Sequence, residues 1–517
     1  MNGAAALIRT LVDSGVDVCF ANPGTSEMHF VAALDDVTSM RGILCLFEGV
    51  ATGAADGYAR VTGRPAATLL HLGPGLGNGL ANLHNARRAH SPVVNIVGDH
   101  ATYHHRLDAP LESDIESLAR PVSGWYRAST RADDVAQDAA DAVAAAFGPP
   151  GRVATLVLPA DVSWSETTTG PAPPARRALP ALVDPATVDE IARALSSGGP
   201  SILVLGGAAT SERGLRAASR VANTIGARLL GETFPARLER GAGRPELQRI
   251  GYYGQPGLEP GDRRVVLVDA HRPVAFFAYP DQAGDFVPEA CEVHVLADGR
   301  HDAVAALESL AEAVGAKEDD YSVAPARRPD RPTGALNAVS LADAVGALLP
   351  EGAVVVDEAN TAGVLLPAAT AGAPPHVWLT LTGGAIGQGM PSATGAAIGA
   401  PDAKVVNLQA DGSAMYTFQS LWTQAREGLD VTTVVLANRS YAILNLELAR
   451  VGASGADRAA RMLELTPPDI DFVSLAAGLG VPASRAMTAD ELVDRLEEAF
   501  ATRGPKLIEA VLPPGLG

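Results

Sequence analysis

Two apolar runs near the carboxyl terminus each end in a polar side chain, and together they define a folding unit. The first, Lys404–Ala410, leads directly into Asp411-Gly412-Ser413, and the second, Val431–Ala437, ends at Asn438. An amphipathic stretch separates them, so the order predicts a strand, a helix and a second, parallel strand. Because the carboxyl ends of parallel strands face the same crevice, we expect Asp411 and Asn438 to lie close together.

A carboxylate and an amide at one crevice supply oxygen ligands of the kind that Mg²⁺ prefers when it also holds phosphate. The helix after Gly412 would direct its first backbone N–H groups to the same place, which favours an anion. The alternative is an ordinary strand-to-helix turn in which Asp411 stabilises the start of the helix. The matching position of Asn438 favours the metal and phosphate site.

Length and composition describe several globular domains. The 517 residues are too many for one hydrophobic core, and a composition of 47% hydrophobic and 19% charged residues suits a large buried interior. Two proline-rich stretches without apolar periodicity, Glu166–Leu182 and Ala316–Thr333, are predicted to be linkers. They divide the chain into domains of residues 1–165, 183–315 and 334–517.

Each domain alternates short β-branched runs with helical periods. This pattern predicts three consecutive doubly wound α/β domains with parallel sheets. The predicted strands are Val16–Ala21, Ile43–Phe47, Ala67–His71, Val93–Val97, Ser201–Leu205, Arg264–Asp269, Glu292–Leu296, Ala353–Asp357, Val405–Ala410, Val431–Ala437 and Lys506–Ala510.

Charge and composition argue against several partners. A net charge of −19 disfavours binding to nucleic acid or to an anionic membrane. No apolar run is long enough to cross a bilayer, and the first residues lack the pattern of a signal peptide, so a cytoplasmic protein is expected. Cys19, Cys45 and Cys291 lie in strand-like contexts and are expected to be reduced.

The segment around Asp411 and Asn438 resembles the metal and diphosphate motif of thiamine-diphosphate enzymes, with Ala410 and Ala437 in place of its first glycine and first asparagine. The run from Phe47 to Arg60 closely resembles the glutamate helix of the same family. The resemblance is to the benzoylformate decarboxylase and acetolactate synthase group, and it covers nearly the whole chain. It implies a first domain that binds the aminopyrimidine and a last domain that binds the diphosphate.

Glu48, at the start of the glutamate helix, could simply stabilise a helix N-terminus. In the family, however, this glutamate hydrogen-bonds the pyrimidine and promotes loss of the thiazolium proton, and the resemblance carries that role to Glu48. The family binds its cofactor between the first domain of one subunit and the last domain of another. A homodimer or homotetramer with active sites between subunits is therefore implied.

The resemblance also assigns the other cofactor contacts. It implies thiamine diphosphate and Mg²⁺, with a backbone carbonyl at Gly384 for the pyrimidine amine and Ile386 as the side chain that supports the bent cofactor. The implied metal ligands are Asp411, Asn438 and Ser440. The implied cofactor contacts are Glu48, Asn360, Thr361, Gly384, Ile386, Asp411, Gly412, Ser413, Asn438 and Tyr441.

Substrate residues are expected in the first domain. Thr25 takes the place of a serine that faces the substrate carboxylate in benzoylformate decarboxylase, although it could also be the N-cap of a helix. His71 ends a strand before a glycine-rich turn and matches an active-site histidine of that enzyme, although a lone histidine is more often structural. Ala278 stands at the place of that enzyme's second histidine, which puts turnover of aromatic 2-oxo acids in doubt.

His104 and His105 could substitute for that second histidine, since pyruvate decarboxylases carry a comparable pair, or they could be solvated loop residues.

Two functions remain open: decarboxylation of a small-molecule 2-oxo acid, and carboligation of the acetolactate synthase type. Gly206-Gly207-Ala208 could contact a flavin or nucleotide, but a structural turn is favoured, so FAD is possible and not expected.

Overall fold

Three α/β units follow one another along the chain, each built around a central sheet. The computed structural model describes residues 1–252, 257–453, 455 and 457–514. Besides α-helices and strands, the chain forms short 3₁₀ helices at Thr25–Glu27, His105–Leu107, Gly207–Thr210 and Asn360–Gly363.

The first unit has a six-stranded sheet whose strands are all parallel. Its strands are β1 (Val18–Ala21), β2 (Arg41–Leu44), β3 (Ala66–His71), β4 (Val93–Asp99), β5 (Trp125–Ala128) and β6 (Val153–Pro159). Its helices are α1 (Gly3–Asp13), α2 (Met28–Asp36), α3 (Glu48–Thr62), α4 (Leu72–Arg88), α5 (Ile115–Ala119), α6 (Val135–Phe147) and α7 (Ala160–Trp164). The order β2-β1-β3-β4-β6-β5 leaves the central strands buried between helices, which explains their uninterrupted apolar sequence.

The middle unit is smaller. Its strands are β7 (Ser201–Leu205), β8 (Arg228–Gly231), β9 (Leu238–Arg240), β10 (Gln248–Arg249), β11 (Arg264–Val268) and β12 (Glu292–Ala297). Its helices are α8 (Pro185–Ser196), α9 (Glu212–Ile225) and α10 (Ala303–Ala313). Five of these strands form a parallel sheet in the order β10-β8-β7-β11-β12. The strand β9 leaves this sheet and pairs with the C-terminal unit instead.

The C-terminal unit has a seven-stranded sheet in the order β17-β18-β16-β15-β13-β14-β9. Its own strands are β13 (Val354–Glu358), β14 (His376–Thr380), β15 (Val405–Ala410), β16 (Val431–Ala437), β17 (Ala483–Ala486) and β18 (Lys506–Val511). Its helices are α11 (Ala338–Leu348), α12 (Leu366–Ala369), α13 (Gly389–Gly399), α14 (Asp411–Ala414), α15 (Ser420–Glu427), α16 (Ala442–Arg450), α17 (Asp457–Ala460), α18 (Phe472–Gly478) and α19 (Ala489–Ala501). The antiparallel pairing of β9 with β14 ties the middle unit to this sheet.

Helices α3 and α13 join the first unit to the C-terminal unit through small residues. A Cβ atom on Gly395 would lie 1.8 Å from the Ala54 carbonyl oxygen, so only glycine permits this approach. Beside the contact, Arg60 and Asp56 form a buried ion pair at 2.7 Å, and Arg60 also donates to the Thr380 carbonyl oxygen at 2.7 Å. The glutamate helix is therefore fixed to the last domain of its own chain.

The prediction of three parallel-sheet α/β domains is confirmed, and the predicted strands recur with small changes at their ends. The strand predicted at Ile43–Phe47 was placed wrongly at its end, because it stops at Leu44 and α3 begins at Glu48. Cys19, Cys45 and Cys291 are free cysteines, and only the first two are buried. Within the described residues, none of the helices combines the length and apolar character that a bilayer crossing requires.

The glycine-rich segment after His71 was wrongly predicted to be a turn. Helix α4 begins at Leu72, so Gly73, Pro74 and Gly75 form its first turn, where proline's missing N–H costs nothing. The amphipathic stretch after Asp411 is likewise two helices, α14 and α15, and not one.

Candidate active site

A cavity of about 1080 Å³ lies between the middle and C-terminal units. Its floor consists of residues that follow β13, β15 and β16, at the carboxyl ends of these parallel strands. The middle unit supplies the opposite wall, which includes Phe234, Arg249 and Phe276. Among the residues that the structure describes, none that lines this cavity belongs to the first unit. Both its position and its size are typical of small-molecule sites in open α/β folds.

Asp411 lies at the cavity floor, where backbone N–H groups hold its carboxylate. The N–H of Gly412 donates to Asp411 Oδ1 at 2.8 Å, and the N–H of Arg439 donates to Oδ2 at 2.6 Å. Burial raises the pKa of Asp411 to about 6, although these backbone hydrogen bonds oppose the rise. A cation beside the carboxylate would favour its charged form, so the group suits a metal ligand.

The other predicted metal ligands line the same cavity. Asn438 is buried at the end of β16, and the N–H of Ser440 donates to its Oδ1 at 3.1 Å. Between them, Arg439 has φ +58°, a left-handed conformation that bends the chain at this point. All three predicted ligands can offer oxygen atoms, and phosphate oxygens would complete the shell of a Mg²⁺ ion.

No group of three or more His, Cys, Asp or Glu side chains is placed to hold a metal in the described part of the chain. The predicted set contains only one residue of those types, Asp411. Such a site would depend on the diphosphate for several of its ligands, and the donor set present fits a metal bound together with that group.

The predicted cofactor contacts surround the predicted metal site. Gly412 packs against the ring of Tyr441, and a Cβ atom on Gly412 would lie 2.4 Å from Tyr441 Cε1. The Ser413 hydroxyl is already engaged, since it accepts from Gln409 Nε2 at 2.6 Å and donates to the Ala410 carbonyl at 3.1 Å. These residues fix the shape of the floor.

The remaining predicted contacts of the last domain also face the cavity. Asn360 and Thr361 belong to the 3₁₀ helix that follows β13, and Asn360 has φ +49°. Gly384 has φ +73°, a conformation that glycine adopts without strain, and Ile386 lies two residues further along. The structure therefore brings together every metal and cofactor residue that was predicted in the last domain.

Glu358 is a buried acid that the sequence analysis did not single out. It ends β13, lines the cavity, and accepts hydrogen bonds from the N–H groups of Gly387 (2.6 Å) and Gly389. Burial raises the pKa of its carboxyl group. Its contacts hold the loop that carries Gly384 and Ile386 against the strand end. A carboxylate at the end of a predicted strand was the signal that could have identified it.

Glu48 lies in the first unit and not at the cavity. It is the first residue of α3 and is only 7% exposed, and Asn78 Nδ2 donates to its Oε2 at 3.0 Å. A Cβ atom on Gly75 would lie 3.3 Å from Glu48 Oε1 and 3.4 Å from His71 Cβ. Glu48 and His71 therefore approach the same turn of α4, and the structure brings these two predicted residues together.

His71 is paired with a buried acid that sequence reasoning missed. Its Nδ1 lies 2.9 Å from Glu27 Oε2 and 3.2 Å from Ser26 Oγ. Glu27 is completely buried and also accepts from the Gly24 N–H at 2.6 Å. The carboxylate fixes the orientation of the imidazole ring. No sequence pattern joins residues 27 and 71. The only signal was the position of Glu27 three residues after Gly24, which is typical of a capping acid.

Thr25 is exposed at the start of the 3₁₀ helix Thr25–Glu27. The alternative that Thr25 is an N-cap was wrong, because Gly24 is the N-cap and its backbone N–H donates to the Glu27 side chain. Thr25 stands two residues before Glu27, the acid that pairs with His71.

His104 and His105 follow β4 in the same unit. His105 Nδ1 lies 2.9 Å from Glu112, and its Nε2 lies 3.6 Å from Asp99. The hydrogen bond with Glu112 raises the pKa of His105. The His104 ring lies 5.3 Å from the His100 ring. Among the described residues, no hydrogen bond or ion pair connects either histidine to His71 or Glu48, so the two are a separate cluster.

The glycine-rich turn of the middle unit is filled by its own chain. Asp269 Oδ2 accepts from the Ala208 N–H at 2.9 Å, and a Cβ atom on Gly207 would lie 2.0 Å from that oxygen. Burial raises the pKa of Asp269 to about 6. A carboxylate therefore occupies the space in which a nucleotide phosphate would approach such a turn.

Two family models match the chain. Residues 1–118 match the thiamine pyrophosphate enzyme N-terminal TPP binding domain, and residues 362–510 match the C-terminal TPP binding domain of the same enzymes. Together they include every predicted site residue except Asn360 and Thr361, which directly precede the second match.

Similar proteins of known name point to two activities. A candidate acetolactate synthase large subunit of Mycobacterium tuberculosis, IlvX, is 58% identical over the full length of both chains. Benzoylformate decarboxylase of Pseudomonas aeruginosa is 29% identical over 96% of each chain. The structure of a thiamine diphosphate-dependent 4-hydroxybenzoylformate decarboxylase from Rhodococcus jostii superposes with a TM-score of 0.87 at 25% identity, over all of both chains.

Proposed function

Since the chain belongs to the thiamine pyrophosphate enzymes, we propose that it decarboxylates a 2-oxo acid without oxidation. The observation that carries this choice is the Glu27–His71 pair beside Glu48. A histidine held by a buried carboxylate can move a proton at a fixed position, which a decarboxylase requires when it releases its product. The likeness to a decarboxylase structure along the whole chain supports the same choice.

Thiamine diphosphate, when bound, would supply the electron sink that accepts the charge left by departing CO₂. Asp411, Asn438 and Ser440 would hold Mg²⁺ against the diphosphate. The other cavity residues would position the rest of the cofactor: Asn360, Thr361, Gly412, Ser413 and Tyr441 at the diphosphate end, and Gly384 and Ile386 at the pyrimidine end. Glu358 would act through the backbone of the loop that carries the last two.

We further propose that the complete site lies between two copies of the chain. Glu48 is anchored to its own last domain by α3 and α13, yet it does not line the cavity there. A second copy would supply it. Large apolar side chains are exposed in both regions that would meet, and such exposure is typical of a protein interface. They are Leu46, Tyr103 and Leu107 in the first unit and Val364, Tyr416 and Leu444 in the last.

The first-domain residues have separate roles in this proposal. Glu48 would hold a proton at the pyrimidine, and His71 would move one at the reacting carbon, with Glu27 fixing its ring. Thr25 would donate its hydroxyl hydrogen to the substrate carboxylate. His104 and His105 would assist only if the partner subunit brings their cluster to the cavity.

A carboligase of the acetolactate synthase type is the second candidate, because the 58% identical relative carries that name. Such an enzyme joins the decarboxylated fragment to a second carbonyl compound. The difference lies in the acceptor, which is a proton in one case and a carbonyl carbon in the other.

The two candidates are separated by incubating the protein with thiamine diphosphate, Mg²⁺ and a panel of 2-oxo acids. Released CO₂ and all products are followed by mass spectrometry. The proposal predicts aldehyde as the main product, in a molar amount equal to CO₂. Acetolactate as the dominant product from pyruvate would establish the carboligase, and no CO₂ from any acid would reject both.

A further inference from the structure

The loop of residues 382–388 carries Gly384 and Ile386, the two residues proposed to meet the pyrimidine. It connects β14, which ends at Thr380, to α13, which begins at Gly389. None of its residues, all of which the structure describes, belongs to a helix or strand. Such a loop keeps its shape only if other parts of the chain bind its backbone, and several of the contacts that do so come from the first unit.

Asn85, on helix α4 of the first unit, binds Ala385 through both of its backbone polar groups. Asn85 Nδ2 donates to the Ala385 carbonyl oxygen at 2.8 Å, and the Ala385 N–H donates to Asn85 Oδ1 at 3.2 Å. The Asn85 backbone carbonyl also accepts from the Thr382 hydroxyl at 2.9 Å. Asn85 is completely buried, and a Cβ atom on Gly383 would lie 2.4 Å from its Oδ1. The loop therefore passes directly over this amide.

The side chain of Asn85 is itself held in place. Its Nδ2 also donates to Asn82 Oδ1 at 3.0 Å, and Asn82 Nδ2 donates to the Gly49 carbonyl oxygen at 2.8 Å, at the start of α3. Both asparagines lie on α4, three residues apart and so on one face of the helix. These hydrogen bonds give the Asn85 amide one orientation, with its oxygen towards the Ala385 N–H.

The position of Ala385 in the loop connects this contact to the cavity. Its neighbours Gly384 and Ile386 both line the cavity, whereas Ala385 is bound by the first unit. The Gly384 carbonyl, which is implied to accept from the pyrimidine amine, belongs to the same planar peptide group as the Ala385 N–H. A hydrogen bond from this N–H to Asn85 therefore fixes the direction of the Gly384 carbonyl as well.

We propose that Asn85 is a positioning residue, which holds the two peptide groups that flank Ala385 and thereby directs the Gly384 carbonyl oxygen towards the pyrimidine amine. The N–H and C=O of a trans peptide point in opposite directions, so an N–H that faces Asn85 places this carbonyl on the side away from α4. The N–H hydrogen bond also strengthens the carbonyl as an acceptor. The inference rests on the proposed function. It assigns Asn85 to the cofactor of its own last domain, whereas Glu48 would serve the partner's.

A comparison of two ligands tests the inference without turnover. Asn85→Leu keeps the branched shape of the side chain but can neither donate to Ala385 nor accept from it. We expect this variant to bind thiamine diphosphate with Mg²⁺ at least about tenfold more weakly than wild type in calorimetry, because the carbonyl is no longer held in place. Inorganic pyrophosphate with Mg²⁺ lacks the pyrimidine, so it should raise the melting temperature of both proteins by the same amount.

Three further variants support this comparison. Asn85→Asp keeps the acceptor for the loop N–H and should restore part of the affinity for thiamine diphosphate. Thr423→Val is the matched control, because it removes a buried hydrogen bond between the same two units, from the Thr423 hydroxyl to the Leu44 carbonyl oxygen at 3.1 Å, and leaves the loop unchanged. It should bind both ligands as wild type does. His84 Nε2 lies 3.0 Å from the Gly383 carbonyl oxygen, so His84→Ala, a milder change, should weaken thiamine diphosphate binding about threefold even if Asn85→Leu does not fold.

Two results would overturn the inference. One is equal affinity for thiamine diphosphate in wild type and in the variants of Asn85 and His84. The other is an equal loss of thiamine diphosphate and pyrophosphate binding, which would indicate a general distortion of the cavity. A selective loss of thiamine diphosphate binding, in a protein that decarboxylates none of the 2-oxo acids tested, would support the inference and reject the proposed function.

Discussion

Two strand-to-helix turns of this chain look similar in sequence and differ in three dimensions. The turn after β15 contains Gly412, and the turn after β7 contains Gly207. The first opens on the large cavity, with the Asp411 carboxylate at its floor. In the second, the carboxylate of Asp269 reaches across from the end of β11 and fills the space above the glycine.

A glycine turn alone therefore does not create a phosphate site. The side chain that lies over the glycine differs between the two turns. The ring of Tyr441 packs against Gly412, whereas the carboxylate of Asp269 lies over Gly207 and repels an anion. Accordingly we expect thiamine diphosphate to bind at the turn that contains Gly412, and we expect no flavin phosphate to bind at the turn that contains Gly207.

The largest expected difference between the two turns is in activity. Asp411→Asn keeps the size of the side chain but removes the charge that would hold Mg²⁺. We expect decarboxylation to fall by at least about a hundredfold, with weaker binding of thiamine diphosphate, because metal affinity depends on a deprotonated ligand. The matched variant Asp269→Asn should stay within about threefold of wild type. Equal losses in both variants would remove the distinction.

A third turn, after β1, also contains a buried carboxylate. This is Glu27, which pairs with His71 and accepts a hydrogen bond from the Gly24 N–H. We expect Glu27→Gln to lower kcat by about ten- to a hundredfold while KM for thiamine diphosphate stays the same, since the ring loses its charged partner but the cofactor cavity is untouched. Glu112→Gln, which removes the partner of His105, is the control and should change kcat little.

The smallest effect concerns stability. The ordinary aspartate pKa of 3.8 rises to about 6 at Asp269, so the folded form holds its proton more tightly than the unfolded chain. The stabilising contribution is complete below about pH 4 and is lost as the pH rises through about 6. Asp269→Asn should therefore be more stable than wild type at pH 8, by up to about 3 kcal/mol, and this gain in stability should be smaller at pH 5. Thermal denaturation of both proteins at pH 8 and at pH 5 measures this difference in stability. A gain that does not depend on pH would contradict the buried charge.

The sequence predicted the sheets because buried parallel strands are short β-branched runs, as in Val431–Ala437. It also predicted that Asp411 and Asn438 share a cavity, since parallel strand ends face one crevice. The other last-domain contacts came from the family resemblance. It could not predict contacts between segments with no common pattern. The pairing of Glu27 with His71 and the pairing of β9 with the last sheet both depend on how separate segments approach each other.

The loop assignments failed for a local reason. Glycine and proline after His71 suggested a turn, but both are compatible with the first turn of a helix. The same ambiguity affects Gly206-Gly207, where only the position of Asp269 distinguishes a filled turn from an open one.

The central claim is that Glu48 of one chain and Asp411 of another serve the same cofactor. Glu48→Gln and Asp411→Asn, each expected to be inactive alone, are co-expressed with different affinity tags, and the mixed dimer is isolated by two successive purifications. One of its two sites then combines the unchanged Glu48 of one chain with the unchanged Asp411 of the other, and the second site carries both substitutions, so we predict roughly half of the wild-type activity per dimer. A mixed dimer as inactive as its parents, yet still able to bind thiamine diphosphate, would contradict the account.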